Sequence, residues 1–295
     1  MPPDDTSAVS AQAGPAPVAI ICGGGAFPGA VADAVIRRGR RPVMFGIRGW
    51  AEPAAVERHA HHWIALGQIG RFIRLAKAEQ CREAVFIGTL LRPPLSQIRL
   101  DWQTLLLLPR IAGMFRGGDD RLLSGVAKLI EENGLRIIGL KDVASEIVAP
   151  EGVFGRHQPV ARDRADIVRA LKVIAALGPF DIGQAVVVAD GNVLAVEAAE
   201  GTDNVLARLA TLRETRRVTT PPGVGVLVKA PKPDQALRFD LPAIGRETVE
   251  KVARAGLAGL AVAAGNAIVT DLADVIAAAD RAGIFIAGVR EDAAR

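Results

Sequence analysis

Between Val18 and about Leu140, short apolar runs alternate with helical stretches, and that alternation leaves few folds open. The runs are VAII, VMFGI, WIALG, EAVFIGTL and RIIGL. Between them stand PGAVADAVIRRG, a linker, IGRFIRLAKAEQ, and the long pair LDWQTLLLLPRIAGMF and DRLLSGVAKLIEENG. Strand and helix in turn predict βαβ units, a parallel sheet with helices, and hence a Rossmann-like domain. Right-handed crossovers place the ends of the first strands along one carboxyl edge, where ligands collect.

The second half changes character. After KDVASEIVAPEGVFGRHQP, which has little periodicity, ARDRADIVRALKVIAALG predicts a connecting helix. AVVVADGNVLAVEA predicts a hairpin around Asp190-Gly191, and GLAVAAGNAIVT a second around Gly265-Asn266. A helix follows each, either as a weak internal repeat or as two common units in series, and IFIAGV reads as the last strand. The expected fold is α/β in two domains. Residues 18–150 form the Rossmann-like domain, 151–178 a linker and connecting helix, and 179–290 an α/β domain with β-hairpins and helices.

Half of the 295 residues are apolar and 23% are charged, a globular composition. A net charge of +4, with no run of five like charges, gives no indication of a nucleic-acid partner. Cys22 and Cys81 lie in apolar runs without C-x-x-C spacing and are expected to be small buried side chains. Residues 1–17 lack the basic and apolar regions of a signal peptide and read as a disordered tail on a cytoplasmic protein. The longest apolar cluster, Thr104 to Phe115, is too short to span a bilayer but leaves open a peripheral contact with a membrane.

The first apolar run leads into CGGGAFPG. A dinucleotide fingerprint needs G-x-G-x-x-G and an acid about 20 residues on. Counted from Gly23, the last position is Pro28; counted from Gly24, the middle position is Ala26; and VMFGI ends at Arg48-Gly49-Trp50 with no acid. A nicotinamide cofactor is not favoured. A strand, glycines able to take positive φ, and a proline suited to a first helical turn instead suit a phosphate of a nucleotide or sugar, with a tight turn and no ligand as the bland alternative.

Gly117-Gly118-Asp119-Asp120 precedes an amphipathic helix, so either aspartate reads as its N-cap, or the pair meets a ribose hydroxyl or cation. Glu200-Gly201-Thr202-Asp203 opens another helix, where Thr202 or Asp203 reads as a cap. Yet Glu197, Glu200 and Asp203 put three carboxylates within seven residues, a concentration that suits magnesium. Between Lys229 and Gly245, the proline-stiffened loop KAPKPDQALRFDLPAIG carries Lys229, Lys232, Gln235, Arg238 and Asp240. Its cations suit phosphate oxygens and its acid a metal or water, with an ordinary solvated loop as the alternative. His59, His61 and His62 lack a fourth ligand and read as a polar patch. Serine-hydrolase, zincin and P-loop signatures are absent from the sequence.

In order along the chain, IICGGGAFPGAVADAVIRRGRRPVMFGIRG, VFIGTLLRP, RGGDDRLLSGV, DIGQAVVVADGNVLAVEAAEGTDNVLARL and VLVKAPKPDQALRFDLPAIG closely resemble the LpxI family. These are UDP-2,3-diacylglucosamine pyrophosphatases of lipid A biosynthesis in Gram-negative bacteria. The resemblance implies a cytoplasmic, Mg²⁺-dependent hydrolase that releases UMP and 2,3-diacylglucosamine 1-phosphate, with attack at the phosphorus next to the sugar. It implies a UDP-binding domain over 18–150 and a hydrolase domain over 179–290. Matching motif by motif, Asp240 corresponds to the family's catalytic aspartate. Gly24, Gly25 and Ala26, Gly88 and Thr89, Asp119 and Asp120, Thr202 and Asp203, and Lys229, Lys232, Gln235 and Arg238 correspond to substrate-binding segments.

On this reading Asp240, with Glu200 or Asp203, is the expected Mg²⁺ site, and UDP-2,3-diacylglucosamine is the expected partner. Leu105 to Leu108 or the alanine-rich C-terminal helices would take the acyl chains, peripheral contact would be with the inner membrane, and a homodimer is the base-rate expectation. The competing functions are a nicotinamide-dependent oxidoreductase and a non-catalytic nucleotide-sugar binding protein.

Overall fold

The computed structural model describes residues 15–25, 27–88, 101–102, 104, 119–233, 237–238 and 241–291, with only the backbone of 119–122. The chain divides into two units, Met1–Leu106 with Leu129–Ile137, and Leu107–Lys128 with Ile138–Arg295.

In the first unit, strands β1 (Val18–Cys22), β2 (Pro42–Ile47), β3 (His61–Ile64), β4 (Glu83–Ile87) and β5 (Arg136–Ile137) form one parallel sheet in the order β3-β2-β1-β4-β5. Every residue of β1 and β2 is buried, which is why both read as unbroken apolar runs rather than alternating ones. Helices α1 (Phe27–Arg37) and α3 (Ile69–Ala78) stand in the predicted alternation, and a one-turn helix α2 (Pro53–Val56) lies in the stretch expected to be a linker. Phe72 of α3 packs edge-on against Phe45 of β2 with ring centroids 4.8 Å apart, and its burial contributes ~2–3 kcal/mol. Helix α4 (Asp119–Glu132) crosses the division between the units, and Leu129 and Ile130 are buried.

The second unit contains α5 (Leu140–Val143) and is built on a six-stranded sheet. Its strands are β6 (Gly152–Phe154), β7 (Ala185–Ala189), β8 (Asn192–Val196), β9 (Val226–Lys229), β11 (Gly259–Ala263) and β13 (Phe285–Val289), in the order β6-β13-β11-β9-β7-β8. The middle strands β13, β11 and β9 are parallel; β6, β7 and β8 add antiparallel pairs at the two sides. Alternate residues of β7 serve opposite faces. Ala185 and Val187 join a core with helices α7 (Gly201–Glu214), α8 (Arg246–Arg254) and α9 (Leu272–Ala282), while Val186 and Val188 meet α6 (Ala161–Leu177).

Three expectations need correction. The segment 151–178 is not a linker: β6 pairs with β13, and α6 buries Ile167, Ala170, Leu171 and Ile174 against the sheet. Gly265-Asn266 does not turn a hairpin. Strand β11 already has β13 and β9 on its two sides, so the run after the turn, β12 (Ile268–Val269), pairs instead with β10 (Ala243–Ile244) in a separate parallel pair. The hairpin-helix repeat is therefore absent, and only Asp190-Gly191 turns a hairpin of the two, its N–H groups held by the buried carboxylate of Asp166 at 2.9 and 2.7 Å.

Candidate active site

The strand order of the first sheet reverses between β1 and β4, the switch point at which open α/β sheets bind ligands. There Gly23 N–H donates to Ile87 O at 2.8 Å. Gly88, directly after β4, has φ +97°, and a Cβ on it would stand 2.7 Å from Gly24 O and 2.8 Å from Gly23 C. Only glycine permits that approach. Gly25 has φ +89°, and α1 begins two residues later with Pro28 in its first turn. Gly24, Gly25 and Gly88 thus come together beside a helix N-terminus, an arrangement that suits an anion. Ala26 and Thr89 lie outside the described residues. Arg48 directly follows β2, and its N–H donates to Ile64 O at 2.8 Å.

In the second unit, the carboxyl ends of β8 and β9 share an edge with the start of β7. Ala185 pairs with Lys229, and Glu197 N–H donates to Ala185 O at 2.9 Å. Thr202 stands at the same edge, its hydroxyl donating to Glu197 Oε1 at 2.9 Å, and Gln184 N–H donates to Glu197 Oε2 at 3.0 Å. Helix α7 starts at Gly201, so Thr202 and Asp203 are inside its first turn and neither is the N-cap. Asp203 accepts from Lys251 Nζ of α8 at 2.6 Å, and this bond raises the Lys251 pKa above its ordinary value. Glu200 accepts from Ala198 N–H at 3.0 Å and pairs with Arg208 at 3.1 Å, and backbone N–H bonds hold its carboxyl below the usual range.

Beyond β9 the cationic loop is anchored along its first half. Lys229 Nζ donates to Ala243 O at 3.0 Å, and Lys232 pairs with Asp181 in the turn after α6. Pro233 packs on Gly178, and Arg238 lies against Gly139, 3.8 Å from Arg238 Cα to a Cβ placed there. Lys229 at the end of β9 and Lys232 and Arg238 beyond it therefore belong to one unit. Gln235 and Asp240 lie outside the described residues. Asp119 and Asp120 are the first two residues of α4, inside the helix rather than capping it, in the first turn where a negative charge suits the macrodipole.

Glu197, Glu200 and Asp203 are drawn to separate donors, and no group of three potential ligands gathers among the described residues. The histidines do not converge either: His61 Nδ1 bonds His59 O at 2.9 Å, while His62 Nε2 bonds Glu79 Oε1 at 2.8 Å. A cleft of about 340 Å³ lies at the opposite, amino edge of the second sheet, lined by Pro222, Gly256, Ile284 and His157 among others, and contains none of the predicted residues.

Residues 17–147 match the LpxI N-terminal domain and residues 150–287 the LpxI C-terminal domain. The chain belongs to the LpxI family. The UDP-2,3-diacylglucosamine pyrophosphatase LpxI of Caulobacter vibrioides (strain ATCC 19089 / CIP 103742 / CB 15) is 41% identical over 270 residues, 92% of this chain and 96% of the relative. A crystal structure of UDP-glucose-4-epimerase from Stenotrophomonas maltophila, with bound NAD and formylated UDP-arabinopyranose, is 14% identical with a TM-score of 0.31, covering 91% of this chain and 98% of that one. At that score the likeness supports no conclusion.

Sequence reasoning missed Lys251, Asp181 and Gln184, which hold the predicted residues. Only folding pairs Asp203 with Lys251, 48 positions away, and no local motif announces it.

Proposed function

We propose that this protein hydrolyses the pyrophosphate of UDP-2,3-diacylglucosamine, releasing UMP and 2,3-diacylglucosamine 1-phosphate in lipid A biosynthesis. The observation that carries this is the 41% identity, over 92% of the chain, to a pyrophosphatase of that name, with both family domains matched in order.

On this reading Gly24, Gly25 and Gly88 bind the nucleotide phosphates at the switch point of the first sheet. Lys229, Lys232 and Arg238 offset the charge that builds on the reacting phosphates. Water adds to the phosphorus next to the sugar, the bond from that phosphorus to the bridging oxygen breaks, and the bridging oxygen leaves with UMP. Asp240 orients the water. Mg²⁺, if held by Asp240 with Glu200 or Asp203, would supply further charge neutralisation there. Cytoplasmic location, peripheral contact with the inner membrane and a homodimer belong to the same proposal. The oxidoreductase alternative loses ground at CGGGAFPG, which completes the G-x-G-x-x-G fingerprint in neither register.

Asp240→Ala tests the assignment. The variant is expected to bind UMP and the sugar phosphate with near-normal affinity and to turn over substrate at least 10³-fold more slowly, on the order of the loss of a principal catalytic group. Near-normal turnover would remove Asp240 from this role.

A further inference from the structure

We infer that Glu197 is a positioning residue that fixes Thr202 as a hydrogen-bond acceptor, directing it at an N–H or O–H donor of the acylated sugar rather than at a phosphate. This inference rests on the proposed substrate. Both oxygens of Glu197 are committed: Oε2 accepts from Gln184 N–H at 3.0 Å and Oε1 from the Thr202 hydroxyl at 2.9 Å. An ionised carboxylate only accepts, so the hydrogen between Oε1 and Oγ1 is the threonine's single proton. With that proton spent, half-buried Thr202 presents only lone pairs to a ligand. A phosphate oxygen also brings only lone pairs, so the two repel. An amide N–H or a ring hydroxyl matches, and glucosamine acylated at positions 2 and 3 carries both.

The spacing along the sheet edge agrees. Lys229 on β9, Ala185 on β7 and Glu197 after β8 lie in one row, with two inter-strand steps of about 4.8 Å between the outer pair. Two steps, about 10 Å between the backbones, leave room for a phosphate and one sugar ring between the lysine side and Thr202. The same edge therefore reads charge at one end and a donor at the other.

Glu197→Gln reverses the polarity. The glutamine carbonyl still takes Gln184 N–H, its NH₂ donates to Oγ1, and the threonine proton turns towards the ligand. Thr202→Val removes the acceptor, and Thr202→Ser restores it. The test measures inhibition constants of 2,3-diacylglucosamine 1-phosphate and of UMP on the full-length protein, beside KM and kcat for UDP-2,3-diacylglucosamine. Glu197→Gln and Thr202→Val are expected to weaken the sugar phosphate about tenfold, the scale of one neutral hydrogen bond replaced by an unmatched polar contact. UMP should be unaffected, KM should rise more than kcat falls, the double variant should be no worse than either single one, and Thr202→Ser should behave as wild type.

A second ligand, the 2-O-acyl analogue that lacks the N–H, separates the two donors. If Thr202→Val costs it nothing further, the partner is the amide; if the same tenfold loss recurs, the partner is a hydroxyl. Unchanged sugar-phosphate inhibition in both variants with unaltered melting temperatures, or an equal loss for UMP, overturns the inference. Absence of turnover by the wild type instead overturns the functional proposal, and the two failures are distinct.

Discussion

Gly88→Ala is the substitution for which the structure predicts the largest effect from one methyl group. At φ +97° an alanine is strained by about 1–2 kcal/mol, since its Cβ crowds its own carbonyl. The methyl would also stand 2.7 Å from Gly24 O and 2.8 Å from Gly23 C. Those are backbone atoms of the glycine turn and cannot rotate away, so the end of β1 or of β4 must move, at a further ~1–3 kcal/mol. The total of about 2–5 kcal/mol translates to a melting temperature lower by roughly 10 °C, at ~2–4 °C per kcal/mol for a protein of this size class. Because the displaced atoms belong to the proposed nucleotide-phosphate turn, UMP affinity should fall at least tenfold as well. Thermal unfolding and UMP titration of the same preparation give both numbers. Gly29→Ala is the control: it lies inside α1, its Cβ would meet nothing within 4 Å, and helix propensity predicts a gain of ~0.5–1 kcal/mol. A Gly88→Ala protein melting within 2 °C of wild type and binding UMP normally would refute the close approach and the role assigned to it.

Glu83 accepts from Arg136 and pairs with Arg40 at 2.7 Å; although partial burial pushes its pKa up, those two bonds hold it below the usual carboxylate range. Such a group stabilises above its unfolded pKa and loses that contribution as pH falls through the folded one. Glu83→Gln should thus cost ~1 kcal/mol at pH 7 by urea unfolding and converge with wild type as pH drops below about 4; a gap that persists at acid pH would contradict this. Cys22 is buried, its thiol pushed up to about 12 by burial, and Cys81 is pushed up to about 11. Neither should alkylate in the folded protein at pH 7.5, and both should label fully in denaturant, as mass spectrometry would record. Lys232→Met should lower kcat about 10²-fold if Lys232 stabilises developing phosphate charge, and a loss under threefold would exclude that role.

The first sheet was legible because its central strands are buried on both faces and therefore spell out as unbroken apolar runs. The second unit was harder for a physical reason. A Gly-Asn pair between two apolar runs signals a hairpin only if the first strand has a free side, and β11 has none. Helix α6 reads in the sequence as a connecting helix, yet Ile167, Ala170, Leu171 and Ile174 form one buried stripe against the sheet. Three carboxylates close in sequence suggested a metal, but Glu197 lies after a strand while Glu200 and Asp203 lie at a helix start, so they meet different donors. The partners that decide the matter, Lys251 above all, come from distant elements that no local pattern connects to them.

Incubating the purified protein with UDP-2,3-diacylglucosamine and resolving the products tests the central claim most directly. The account predicts UMP and 2,3-diacylglucosamine 1-phosphate in equal amounts. Release of UDP with the free sugar, or no product under conditions where UMP binds, would contradict it.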